Sequence, residues 1–176
     1  MPILPVPLIR QDTDYDCGAA AVRAVLLYYG VVVSEADLIV AMGTNAKDGT
    51  APHRIVRCLW DFGFQLRAGR MDIPEVESWL RLGVPVILDL QAWADDPTVD
   101  YATSLTEGHY VVALGYDDEF VYFSDPAVGE KVKLTRAELE ARWHDTTRGV
   151  LYDHFGIAVS DRTSAKRVAR AWTTRS

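Results

Sequence analysis

The spacing of apolar residues changes character about halfway along the chain. In the first half it is helical. Ala19, Ala20, Val22, Val25, Leu26 and Tyr29 run almost all round a helix over Gly18–Tyr29, stopped by Gly30. Such an all-round pattern predicts a helix buried in the middle of the domain, with Arg23 as its one polar exception. Ser34-Glu35-Ala36-Asp37 supplies an N-cap with an acid three positions on, and opens a short helix to Met42. A loop rich in Gly, Thr, Asn and Asp spans Gly43–Pro52. His53–Phe62 then places Ile55, Val56, Leu59 and Trp60 on one face before Gly63. Phe64–Ala68 alternates like a strand, and Ile73–Leu82 reads as a helix with Pro74 in its first turn and Gly83 after its end.

In the second half the pattern turns to strands. Val84–Leu90 is a near-continuous apolar run, the signature of a core strand. His109–Tyr116, Phe120–Ser124 and Lys131–Leu134 follow as strands joined by short turns, and Tyr152–Ser160 closes the fold as another. Thr135-Arg136-Ala137-Glu138 has the form of a capping box and predicts a helix to about Trp143. Between the first two of these strands lies a polar, acidic loop, Ala92–Glu107. At the N-terminus, Pro2, Pro5 and Pro7 alternate with apolar residues, which suits an extended edge strand or arm. Helices first and strands afterwards make the fold class α+β.

Length and composition narrow the field. The 176 residues, 49% hydrophobic and 24% charged, suit one globular domain, read as 1–160, followed by a tail, 161–176. The net charge of -7 argues against nucleic acid as the main partner. The tail differs: from Arg162 to Ser176, Arg162, Lys166, Arg167, Arg170 and Arg175 stand without an acid. Its expected state is a solvated end. Two cysteines, with no C-x-x-C, supply neither a disulfide framework nor a zinc site, so no metal or cofactor is expected. The N-terminus lacks the basic region of a secretion signal, and no apolar run is long enough to span a membrane. A cytoplasmic protein is the resulting expectation.

The chemistry concentrates in Gln11-Asp12-Thr13-Asp14-Tyr15-Asp16-Cys17-Gly18, an acid-rich turn running straight into the buried helix. Asp16 is placed to cap that helix, and Cys17 to sit at the positive end of its dipole, which favours negative charge on sulfur. Gly18 and the alanines beyond it leave room at the helix start. Cys58, in the middle of a helix between Arg57 and Leu59, has none of these features and reads as structural. A thiol nucleophile needs a base held within hydrogen-bond reach. Among four histidines, His109 stands out because Gly108 precedes it and a strand fixes its direction. Asp125, at the end of the next strand, can lie beside it across a hairpin. Gln11 could donate to a developing oxyanion together with the free N–H of Cys17.

These positions resemble papain-fold cysteine peptidases, in particular the bacteriocin-processing (double-glycine leader) peptidases and their free-standing relatives. The matching pieces are Gln11 with Asp16-Cys17-Gly18-Ala19-Ala20, Tyr28-Tyr29-Gly30, Gly49-Thr50, Gly108-His109-Tyr110-Val111-Val112 and Asp125-Pro126-Ala127. The resemblance implies a papain-like domain that acts on a peptide or protein through a thioester. Cys17 would be the nucleophile, His109 the base, Asp125 its orienting acid and Gln11 an oxyanion donor. Asp16, Gly18, Gly108 and Trp93 are then the expected substrate contacts, with the acidic loop favouring basic substrates. Two features depart from the transporter-borne members: no membrane or nucleotide-binding segment is present, and Ala19-Ala20-Ala21 stands where a second cysteine often follows the nucleophile. The free-standing branch is the better match, without a double-glycine cleavage rule. Acyl transfer or deamidation by the same residues, and a non-cleaving peptide-binding module, remain the alternatives.

Overall fold

A computed structural model describes residues 3–161; the basic tail lies outside the described residues. Four helices precede most of the sheet: α1 (Cys17–Tyr28), α2 (Glu35–Met42), α3 (Pro52–Asp61) and, after strand β1 (Gln65–Arg70), α4 (Ile73–Arg81). Then come β2 (Val86–Gln91), β3 (Gly108–Tyr116), β4 (Phe120–Asp125), β5 (Glu130–Thr135), α5 (Arg136–Arg142), β6 (His144–Thr147), β7 (Val150–Asp153) and β8 (Phe155–Ser160). The α+β expectation holds. Among the described residues, no helix is long and apolar enough to cross a membrane.

Six strands form one antiparallel sheet in the order β1-β8-β2-β3-β4-β5. Both faces are covered. On one, Tyr110, Val112, Leu114, Ile157 and Val159 meet α1, α2 and α3. On the other, Val111, Ala113, Val121 and Phe123 meet α4, α5 and Trp143. Residues of alternate parity on β3 therefore enter two different cores, which is why its sequence is apolar without interruption. All six residues of β2 are buried, Asp89 and Gln91 included. The arm at the N-terminus is extended but is not a strand; Leu4 N–H donates to the Leu114 carbonyl at 2.8 Å.

The region after α5 departs from the sequence reading. The expected strand Tyr152–Ser160 is broken at His154, whose φ of 52° is left-handed. Its imidazole is held by Asp153 and Glu140 at 2.6 and 2.8 Å. Residues 144–153 fold into a separate hairpin, β6–β7, around Arg148 and Gly149, both with positive φ. Two positive φ values in succession are the mark of a tight type I′ turn, for which Arg is an unusual first residue.

Candidate active site

The turn before α1 is built by side chains that accept from its own backbone. Asp16 was expected to cap α1, but it makes no such hydrogen bond. Its carboxylate instead accepts from the Thr13 N–H at 3.0 and 3.2 Å, and the residue is fully buried. Asp16 thus shapes the loop from inside and offers no surface to a substrate. With the cap absent, the N–H groups of the first turn keep no intrahelical acceptor, that of Cys17 among them. Glu35, on α2, anchors the same loop: it accepts from the Asp12 N–H at 3.3 Å and pairs with Arg23 at 3.4 Å. Arg23, the polar exception on α1, therefore has its place in the site's foundation.

Gly18 also has a packing role. A Cβ there would lie 2.7 Å from Thr50 Cβ and 3.2 Å from the Tyr110 ring. The close approach it permits in the structure is that of α1 to Thr50 and β3.

Cys17 is half-buried and free, at the first position of α1. His109 reaches it from the start of β3 and Asp125 lies at the end of β4. His109 Nε2 and Asp125 Oδ1 are 2.7 Å apart, both residues buried. With Nε2 engaged by Asp125, Nδ1 is the ring nitrogen left for the thiol. Burial disfavours the imidazolium, but the hydrogen bonds to Asp125 and to the Cys17 sulfur outweigh it and push His109 up to about 10. Burial also opposes ionisation of Asp125; donors from His109, Trp93 and Ala127 overcome it and hold the carboxyl below the usual carboxylate range. The Ala127 N–H donates to Oδ1 at 2.8 Å, and the Trp93 Nε1–H donates to Oδ2. Cys58 contrasts with Cys17: it is buried in α3, and burial with nearby Asp61 pushes its thiol up.

Gln11 lies in the loop leading to Cys17. Its Nε2 donates to the Thr13 carbonyl at 2.6 Å, and its backbone N–H donates to the Pro126 carbonyl at 2.9 Å. The second stitch ties this loop to the turn directly after Asp125. One amide hydrogen of Nε2 is taken by Thr13, which leaves the other for a ligand oxygen.

The 92–107 loop sits over the acid end of the array. The Trp93 ring is 38% exposed while its N–H is committed to Asp125. Tyr101 accepts from the Ala94 N–H at 2.8 Å, and the Arg142 guanidinium lies 3.7 Å above the Tyr101 ring and 5.1 Å from that of Trp93. The loop's acids act locally. Asp96 accepts from Thr98 and Asp100 from Ala102, so both carboxylates fold the loop's own turns. Gly108 is required by packing, because a Cβ there would lie 2.4 Å from Asp145 Oδ2.

Asp89, Gln91 and Asp145, buried next to this array, were not singled out from the sequence. The available signal was Asp89, an acid inside the otherwise apolar run Val84–Leu90. Asp145 lies in the unrecognised hairpin and gave none. Among the described residues, no group of three or more His, Cys, Asp or Glu is arranged to hold a metal ion.

The Peptidase C39 family model matches residues 5–148. The "Probable functional amyloid protease FapD" of Pseudomonas fluorescens is 26% identical over 158 residues, which are 86% of this chain; the match spans 63% of that relative's length. Among solved structures, a C39-like protein from Bacillus anthracis has a TM-score of 0.70 at 20% identity, covering 91% of this chain and 97% of that one. The peptidase domain of Streptococcus ComA, a bi-functional ABC transporter of a quorum-sensing pathway, has a TM-score of 0.67 at 21% identity, covering 88% and 97%. At these identities the solved structures speak for the papain-like fold, and the family match, which takes in most of the chain, speaks for the class. The chain belongs to the Peptidase C39 family and is a cysteine peptidase.

Proposed function

We propose that the chain hydrolyses a peptide bond through a thioester on Cys17. The observation that carries this reading is the buried His109–Asp125 pair at 2.7 Å, with the Cys17 sulfur as the ring's second partner. In the ion-paired state the sulfur attacks the substrate carbonyl carbon, and the carbonyl π electrons move onto oxygen. The second hydrogen of Gln11 Nε2 and the uncapped Cys17 N–H donate to that oxyanion. His109 then gives its proton to the leaving amine as the C–N bond breaks, leaving an acyl group on sulfur. Neutral His109 then takes a proton from the water that attacks the thioester carbon. As the C–S bond breaks, the acid product departs and the bond's electron pair returns to sulfur, restoring the thiolate and imidazolium. Asp125 keeps the ring aimed throughout. Trp93 and Gly108 flank the approach to His109.

The test uses a tryptic digest of a bacterial lysate as the peptide source, incubated in heavy-oxygen water and read by mass spectrometry. New termini made by the native protein but not by Cys17→Ala, with heavy oxygen in each new carboxyl group, are the expected result. An added amine incorporated in place of water would redirect the reading to acyl transfer. Peptides retained by both native protein and Cys17→Ala, with none cut, would overturn it in favour of a binding module.

A further inference from the structure

Behind the thiol lies a buried acid that the thioester chemistry leaves unused. Asp89 is 1% exposed, in the middle of β2, opposite Tyr110 across the ladder to β3. Neither of its carboxylate oxygens has a hydrogen-bond partner. The nearby Tyr110 hydroxyl gives its one proton to the Thr50 carbonyl at 3.0 Å. Its other polar neighbour is a second acid, Asp145 on β6. An ionised carboxylate without a donor in a dry core is among the most unfavourable arrangements a protein can hold, and two adjacent ones are worse. A single proton resolves both difficulties, because a protonated carboxyl can donate to its neighbour.

The surroundings decide which acid keeps the proton. Asp145 has donors: Gln91 Nε2 donates to its Oδ1 at 2.9 Å, and Gln91 is itself fixed by accepting from the Glu107 N–H at 2.9 Å. The donor near Asp89 is the Tyr110 phenol from β3, whose proton goes to the Thr50 carbonyl, and the carboxyl otherwise faces the Cys17 sulfur from α1 and the Asp145 carboxyl from β6. Burial first, then the charges of Asp145 and Cys17, push Asp89 well up. Burial raises Asp145 as well, with the Thr146 N–H and Gln91 opposing it.

We propose that Asp89 is a positioning residue that carries a proton and donates it to the Asp145 carboxylate, so that the pair holds one negative charge, seated on Asp145 against Gln91 and Gly108. The wall behind Cys17 is then neutral, and Asp145 is locked over the start of β3, one residue before His109. This rests on Cys17 and His109 acting as nucleophile and base.

The test has two independent readouts on the full chain. The first is the protonated-carboxyl C=O stretch in the infrared spectrum at pH 7. It is expected in the native protein, retained in Glu35→Gln, which removes another buried acid that burial pushes up, and lost in Asp89→Asn. The second is the rate of Cys17 alkylation by iodoacetamide in a Cys58→Ser background. Asp145→Asn removes the neighbouring charge and puts an amide N–H donor beside Asp89, so that Asp89 can ionise next to the sulfur, and alkylation should slow about tenfold, the equivalent of one pK unit. Adding Asp89→Asn to Asp145→Asn should restore most of that loss, which a merely structural role would not do. A native protein without the band, or a double variant no faster than Asp145→Asn, would overturn the proposal. The band reports the proton whether or not Cys17 is the nucleophile, and His109→Ala reports the nucleophile whether or not the band is present. The two readings therefore fail separately.

Discussion

Asp125→Asn separates the charge of the orienting acid from its shape. The new amide oxygen can occupy the Oδ1 position and still accept from His109 Nε2 and the Ala127 N–H, now at 2.7 and 2.8 Å. Its NH2 group then faces the Trp93 N–H, donor against donor, where Oδ2 had been. The charge is lost outright. His109 at about 10 instead of 6.5 corresponds to about 5 kcal/mol in favour of the imidazolium, shared between Asp125 and Cys17. If Asp125 supplies about half, the ring should fall by roughly two pH units and kcat/KM by about 10²-fold. The sign follows from linkage. A base whose folded pKa is raised stabilises the fold fully below about 6.5 and loses that contribution as pH climbs through about 10. The native protein should therefore show its high-pH inflection in Cys17 alkylation near 10, and a melting temperature that declines from pH 7 to 10. In Asp125→Asn the inflection should move to about 8 and the decline should flatten. Adding Trp93→Phe removes the opposing donor and should recover part of the lost rate. An inflection that stays in place in Asp125→Asn would refute the account of how His109 is held charged.

Two further outcomes follow from packing and from the loop before α1. Gly18→Ala puts a methyl 2.7 Å from Thr50 Cβ and should lower stability by about 1–3 kcal/mol, seen as a lower urea midpoint; combining it with Thr50→Gly should recover part of that, and no loss in the single variant would contradict the contact. On the proposed role of Gln11 as an oxyanion donor, Gln11→Ala should lower kcat about 10²–10³-fold with little change in KM, because such a donor acts on the transition state; a rise in KM alone would assign Gln11 to substrate binding instead.

Much of the fold was legible because its signals are local. α2 and α5 announce themselves by caps, and the structure shows Ser34 and Thr135 accepting from Asp37 and Glu138. β3 announces itself by an apolar run that only a doubly covered strand needs. The β6–β7 hairpin was not legible, since its turn places Arg148 at positive φ, where Asn or Gly is the usual marker. Asp16 misled because a carboxylate before a helix suits an N-cap and an inward turn equally well, and the sequence does not show which N–H it meets. Gly18 was legible as a point of close approach, but the residue does not say of what, and Thr50 and Tyr110 are found there. Asp89 and Asp145 come from strands far apart in sequence, and only tertiary structure brings a lone buried acid to a partner.

The stitch between Gln11 and Pro126 bears on the order of events during synthesis. The loop that leads into α1 is closed by a hydrogen bond to the turn after β4, and His109 and Asp125 both lie on that later part of the chain. A ribosome-bound chain that has exposed only α1–α3 carries Cys17 without His109, Asp125 or a fastened loop. Because domains emerge N-terminus first and distant pairings close late, Cys17 is made early and meets His109 and Asp125 last. For a cysteine peptidase whose nucleophile candidate and base candidate lie so far apart in sequence, the topology itself acts as a delay on assembling the site.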